Sequence, residues 1–139
     1  MKVVIDTNIL LVCISPRAES YWLWQALLAA DFDLFVTTDV LDEYAEIIGR
    51  KMGQEVAEAA LDLLTDLHNV HLIQKYFLWQ LVEADPDDNK FVDCAIAAGA
   101  QYLVSEDRHL RVIREFPYLN IELVTLAGFQ EKLSASRSA

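Results

Sequence analysis

Apolar residues crowd the start of the chain: Val3, Val4 and Ile5 form an unbroken run that stops at Asp6. A short run of this kind reads as a buried strand over residues 2–5, with Asp6 leaving its carboxyl end. The segment "SPRAESYWLWQALLA" (15–29) follows with helical spacing, Ser15 serving as a possible cap and Pro16 standing in the first turn. Phe32 to Val36 is again short and apolar and predicts a second strand. In "TTDVLDEYAEIIGRKMG", Thr37 or Thr38 caps a helix whose Leu41, Tyr44, Ile47 and Ile48 share one face, and Gly49 and Gly53 are candidate stops.

Val56, Ala60, Leu63, Leu64 and Leu67 carry the same period through 54–67, and Val70 to Ile73 predicts a third strand. "DPDDNKFVDCAIAAGA" reads as a turn and a helix ending near Gly99. Tyr102 to Val104 is a strand, "SEDRHLRVIREF" a loop leading into a helix, and Ile121 to Val124 a last strand. A short helix near 126–133 would precede a frayed polar tail, "SASRSA". Strands alternating with helical runs predict an α/β fold: a three-layer α/β/α sandwich around a mostly parallel sheet of four or five strands. There is no repeat and no linker, so residues 1–133 form one domain and 134–139 an unstructured tail.

Composition narrows the class. An apolar fraction of 54% excludes a disordered chain. No apolar stretch approaches the roughly 18 to 20 residues of a membrane span, and the start lacks a signal-peptide pattern, so a soluble cytoplasmic protein is the expectation. Cys13 and Cys94 sit in apolar surroundings and read as buried small hydrophobes. His68, His71 and His109 are too scattered to form a ligand set by themselves. The net charge of −11 argues against a protein that grips nucleic acid mainly through its own basic surface. It leaves room for a nuclease, because a divalent ion inverts the sign of an acidic site locally.

Four acids stand out by position. Asp6 follows the first strand, Glu43 lies early in the helix after the second, Asp88 starts the helix after "EADPD", and Asp107 follows "YLV" by two residues. A parallel sheet could gather them at one edge, where Mg²⁺ or Mn²⁺ would relieve their repulsion. They could equally be ordinary strand exits and helix N-termini. Asp93 lies about 140° around the helix from Asp88 and interrupts an apolar run, so it either marks the edge of the buried face or points into the site.

These segments together resemble the PIN-domain ribonucleases, and within them the toxin components of toxin–antitoxin systems. "VVIDTNILL" is similar to the family's first strand and its acid, "TTDVLDEYAEII" to the segment supplying the glutamate, and "DPDDNKFVDCAIAAGAQYLVSEDRHL" to the third block and the strand beyond it. The resemblance covers roughly residues 2–126. It implies metal-dependent hydrolysis of RNA phosphodiesters by a metal-activated water. Asp6, Glu43, Asp88 and Asp107 would be the catalytic acids. Asp6, Asp88, Asp107 and, as an extra ligand, Asp93 would hold one or two Mg²⁺ or Mn²⁺ ions. Thr7, Asn8 and Ser105 would orient a carboxylate or a bound water. Asn89 replaces an arginine found in some related toxins, which leaves Lys90, Arg108 and Arg111 as the nearest candidates for RNA contact.

The family further implies a small antitoxin and favours a homodimer. Trp22, Trp24 and Phe32, in the apolar stretch 19–35, could supply a dimer face or an antitoxin groove, although Trp22 and Trp24 are about 200° apart on a helix and cannot both face one core. Trp79 raises the same question beside the acidic loop. The competing reading is a PIN-like module that binds RNA or protein with little or no turnover. A cluster of four mutually repelling acids is of small use to such a module, which favours the enzyme.

Overall fold

In the computed structural model, which describes residues 1–138, the short apolar runs pair into one sheet. Its strands are β1 (Lys2–Ile5), β2 (Asp33–Val36), β3 (Val70–Leu72), β4 (Tyr102–Val104) and β5 (Glu122–Val124). All four pairings are parallel, in the order β3-β2-β1-β4-β5, with helices on both sides. Parallel strands covered on both faces bury their central residues, and Val3, Val4, Ile5, Leu34, Val36, Leu103 and Val104 are all fully enclosed. The strand order reverses direction at β1. The crevice beyond the carboxyl ends of β1 and β4 is therefore the switch point, where open α/β sheets hold their ligands.

Six α-helices connect and cover the strands: α1 (Thr7–Cys13), α2 (Tyr21–Leu28), α3 (Thr38–Met52), α4 (Gln54–Asp66), α5 (Asn89–Ala98) and α6 (Leu126–Ser138). Thr37 is the residue that precedes α3, and α3 folds back against α4 at Gly53, whose φ of 101° only glycine adopts without strain. α5 packs across β1, β2 and β4. Its N-terminus is thereby set beside the switch point. None of the described helices is long and apolar enough to cross a membrane.

Four expectations change. The helix predicted over 15–29 shortens to α2, and a helix that the sequence pattern did not offer, α1, precedes it. α1 starts directly after Asp6, whose carboxylate caps it by accepting the Ile9 N–H at 3.0 Å, and α2 begins only at Tyr21. Ser15 and Pro16 lie in the link between them, where Ser15 Oγ accepts the Arg17 N–H at 3.3 Å. The helix after "SED" is a 3₁₀ helix, Arg108–Glu115, rather than an α-helix. The segment expected to be an unstructured tail continues α6 to Ser138: Leu133 anchors it in the core, the Ser138 hydroxyl donates to Ser134 O, and Arg137 pairs with Asp31. Ala139 lies outside the described residues.

The fourth change concerns the aromatic stretch. Trp24 and Phe32 are core residues, Phe32 meeting Phe129 of α6 edge-on at 5.2 Å, and neither is available to a dimer face or groove. Trp22 is half-buried on the opposite side of α2 and Trp79 is partly exposed. Cys13 and Cys94 are both buried free thiols, and burial pushes each pKa up to about 12.

Candidate active site

Asp6 is the only carboxylate that β1 delivers to the switch point, and it arrives with both oxygens engaged. Oδ1 caps α1, while Oδ2 accepts the Ser105 hydroxyl from the end of β4. The side chain is 5% exposed. Burial raises its pKa against the pull of those two bonds, and the Asp107 and Glu43 charges raise it further.

Thr7, the next residue, donates its hydroxyl to Glu43 Oε2. Glu43 Oε1 meets Lys90 Nζ at 2.8 Å, so the glutamate is fixed from two elements. Burial alone would depress the Lys90 ammonium, but Glu43 more than offsets it and its pKa is raised. Lys90 is thus committed to Glu43. Asn8 is exposed at the rim of the site.

The remaining acids come from two tight turns. Asp85 precedes a 3₁₀ turn, Pro86–Asp88, and accepts the Asp87 N–H at 3.2 Å; Asp88 then leads directly into α5. Asp107 caps the second 3₁₀ helix by accepting the His109 N–H at 2.9 Å. Asp6, Glu43, Asp85, Asp87, Asp88 and Asp107 line one cavity of about 210 Å³ together with Thr7, Asn8 and Phe91. Three of these acids are joined by His109: one ligand atom each of Asp85, Asp88, Asp107 and His109 lies within 4.8 Å of all the others.

Asp88 and Asp107 share the consequences of this crowding. Burial, the contact with Asp107 and the nearby Asp85 and Asp6 charges push the Asp88 carboxyl up to about 8. Burial also acts on Asp107, but the bond from protonated Asp88, the His109 N–H, and the His109 and Arg108 charges together hold it below the usual carboxylate range. The pair thus keeps one proton between them near neutral pH.

Two buried atoms here lack any hydrogen-bond partner, Asp88 Oδ2 and His109 Nδ1. A buried carboxylate oxygen without a donor is costly and calls for a proton or a cation. The oxygen-rich set around it suits a hard divalent ion.

The structure brings together Asp6, Glu43, Asp88 and Asp107, with Thr7 and Ser105 behind them, and leaves Asp93 elsewhere. The 140° turn along α5 sends Asp93 under the irregular segment 73–85, where its Oδ1 accepts the Trp79 N–H at 3.1 Å. It lines a second cavity of about 540 Å³ with Asp39, Lys75, Asn89 and Lys90. Asn89 braces the same segment, its amide bonding both the N–H and the carbonyl of Val82 at 2.9 and 3.1 Å. Arg108 and Arg111 are exposed, and Arg111 borders a small cavity with Ser105 and Asp107.

Asp85 and His109 are the members that sequence reasoning passed over. The signals were present: an aspartate before proline marks the start of a helical turn, and His109 stands two residues beyond Asp107.

None of the curated proteins matches the sequence. Among solved structures twelve chains match. One is that of VapBC2 from Rickettsia felis, bound to a DNA fragment from their promoter. It superposes with a TM-score of 0.58 at 22% identity, over 90% of this chain and 98% of that one, a likeness of fold. The PIN domain profile matches residues 2–109. That span begins with β1 and ends at His109, enclosing every acid of the switch-point cavity, and the chain belongs to the PIN domain family.

Proposed function

We propose that this chain is a divalent-metal-dependent endoribonuclease that hydrolyses RNA phosphodiester bonds, and that it is the toxin of a toxin–antitoxin pair. The reading rests above all on the convergence of Asp85, Asp88, Asp107 and His109 ligand atoms within 4.8 Å of one another, beside Asp6, in a PIN domain. Asp6, Asp88 and Asp107 are the oxygen donors for Mg²⁺ or Mn²⁺, and the His109 imidazole beside them favours the softer Mn²⁺. When bound, such an ion acts as a Lewis acid, lowering the pKa of water and offsetting charge on the phosphate.

The chain's own residues do the positioning. Ser105 holds Asp6, Thr7 and Lys90 hold Glu43, and the turn Pro86–Asp88 and the start of the 3₁₀ helix Arg108–Glu115 bring Asp88 and Asp107 together. Asn8 at the rim is placed to meet the substrate or its water. Asp93, with its side chain under segment 73–85, acts through the wall of the site as a positioning residue rather than as a ligand. The likeness of fold to VapBC2, solved bound to a DNA fragment from their promoter, supports a small antitoxin partner here. A homodimer acting in the cytoplasm completes the proposal.

The test is cleavage of end-labelled single-stranded and structured RNAs with Mg²⁺, Mn²⁺ or EDTA, with Asp6→Asn run beside the wild type. Cutting that needs metal and disappears in the variant is the expected result. A folded wild-type protein that cuts no RNA in either metal would overturn the nuclease reading.

A further inference from the structure

Arg108, Arg111 and Arg114 recur at every third position of the 3₁₀ helix Arg108–Glu115. A 3₁₀ helix has three residues per turn, so side chains three apart eclipse and form a straight row. An α-helix would have fanned the same residues across about 120°. The burial pattern follows the three-residue period: Leu110 and Ile113 are buried, while Arg108, Arg111 and Arg114 are all exposed. Among the described residues none of these three guanidiniums enters an ion pair, whereas Lys75 and Lys90 are committed to Asp39 and Glu43.

In a chain of net charge −11, such a row of unpaired cations runs against the general trend. Its place is as telling as its charge. Asp107 caps the helix, so the row starts at the acidic cavity, and Arg111 and Arg114 border a 90 Å³ cavity with Ser105, Asp107 and Thr125.

We infer that Arg108, Arg111 and Arg114 form a phosphate track that holds one strand of the RNA backbone leading away from the scissile bond. The identity of the ligand as RNA rests on the nuclease reading above; the row and its spacing do not. Successive arginines are about 6 Å apart along the helix, comparable to neighbouring phosphates on one strand, and each guanidinium can clasp a phosphate with two parallel bonds. The three are positioning residues. Arg114 was not among the candidates the sequence offered, because only the 3₁₀ winding aligns it with the other two.

The experiment measures binding of a short fluorescein-labelled single-stranded RNA to the full chain by anisotropy, in EDTA, across a salt series. Wild type is compared with Arg111→Ala/Arg114→Ala, the triple alanine variant, Arg111→Lys/Arg114→Lys, and Arg50→Ala as a remote control, each checked for an unchanged melting temperature. The slope of log affinity against log salt becomes shallower by ~1.4 in the double and ~2 in the triple alanine variant, and is retained in the lysine variant and the control. With Mn²⁺ added, the double alanine variant raises KM about tenfold while kcat on saturating RNA is preserved. Equal slopes and equal KM in the wild type and the triple variant overturn the track, as does failure of the wild type to bind RNA at low salt. Competition by poly-aspartate as effective as that by RNA would assign the row to an acidic protein and also overturn it. A slope that falls in the variants while the wild type cuts nothing keeps the track and removes the nuclease.

Discussion

Ser105 joins the ends of two strands: its hydroxyl donates to Asp6 Oδ2 while the same oxygen accepts the Asp107 N–H at 2.9 Å. One small side chain therefore sets the distance between the acid contributed by β1 and the acid contributed beyond β4. Ser105→Ala removes both bonds. Cleavage and Mn²⁺ affinity should each fall about 10- to 100-fold, the usual effect of losing a group that orients metal ligands. Ser105→Thr keeps the hydroxyl and should stay near wild type. Metal titration and cleavage rates on the same preparations check this, and a full-strength Ser105→Ala enzyme would contradict it.

The proton held by Asp88 and Asp107 makes stability depend on pH in a defined direction. The folded Asp88 pKa, about 8, lies above its ordinary value of 3.8. A raised carboxyl pKa stabilises the fold fully below the ordinary value, and that stabilisation is lost as pH rises through about 8. Asp6 is raised in the same sense, whereas Asp107 is lowered, so its contribution is lost on acidification below the ordinary carboxylate range. In EDTA the melting temperature should fall by on the order of 5 °C between mildly acidic and mildly alkaline buffer. Asp88→Asn should flatten that slope, melt higher than wild type in alkaline EDTA, and lose cleavage. Differential scanning fluorimetry across pH reads all three forms.

Divalent metal should compete with that proton. Ligation needs the carboxylates ionised, so binding of Mn²⁺ near neutral pH should release about one proton per protein. Calorimetry in two buffers of different ionisation enthalpy measures the number directly. The Asp88→Asn protein should release close to none, and an equal release from both proteins would remove Asp88 from the ligand set.

Asn89 is the brace of the segment that walls both cavities. Asn89→Ala leaves the buried Val82 N–H and carbonyl without their side-chain partners, a cost of about 2 kcal/mol. Hydrogen exchange should accelerate over 73–85 while the β1 and β4 amides remain protected. Cleavage should weaken through KM more than through kcat. Uniform acceleration across the whole chain would instead mean that Asn89 stabilises the fold as a unit.

The strands were legible in the sequence as short apolar runs, and Asp6 and Asp107 as the polar groups just beyond two of them, whereas Glu43 and Asp88 stood out by their places early in helices and by the family resemblance. What the sequence concealed depends on winding. The seven-residue helix α1 hides in "TNILLVC", a run too short for its period to be told from a strand's extension. Asp85 and His109 enter the cluster only because two 3₁₀ turns fold the chain tightly around Asp88 and Asp107, and the α-helix expected after "SED" would have placed His109 differently. Asp93 was offered to the site because it interrupts an apolar run and by resemblance to the family, yet helical rotation carries it to the neighbouring cavity. Trp24 and Phe32 suggested a surface by their size, and the sheet absorbed both.

Asp6 and Ser105 stand 99 positions apart, yet one bond joins them. The acidic centre is therefore incomplete in the first two-thirds of the chain, which lacks Ser105, Asp107 and His109. Until β4 docks against β1, Asp6 lacks its bond from Ser105, and Asp107 is not yet held beside it. Long-range pairing of parallel strands is among the slower steps of folding. On the nuclease reading proposed above, a chain still emerging from the ribosome cannot yet cut RNA, and that capacity comes only when β4 pairs with β1.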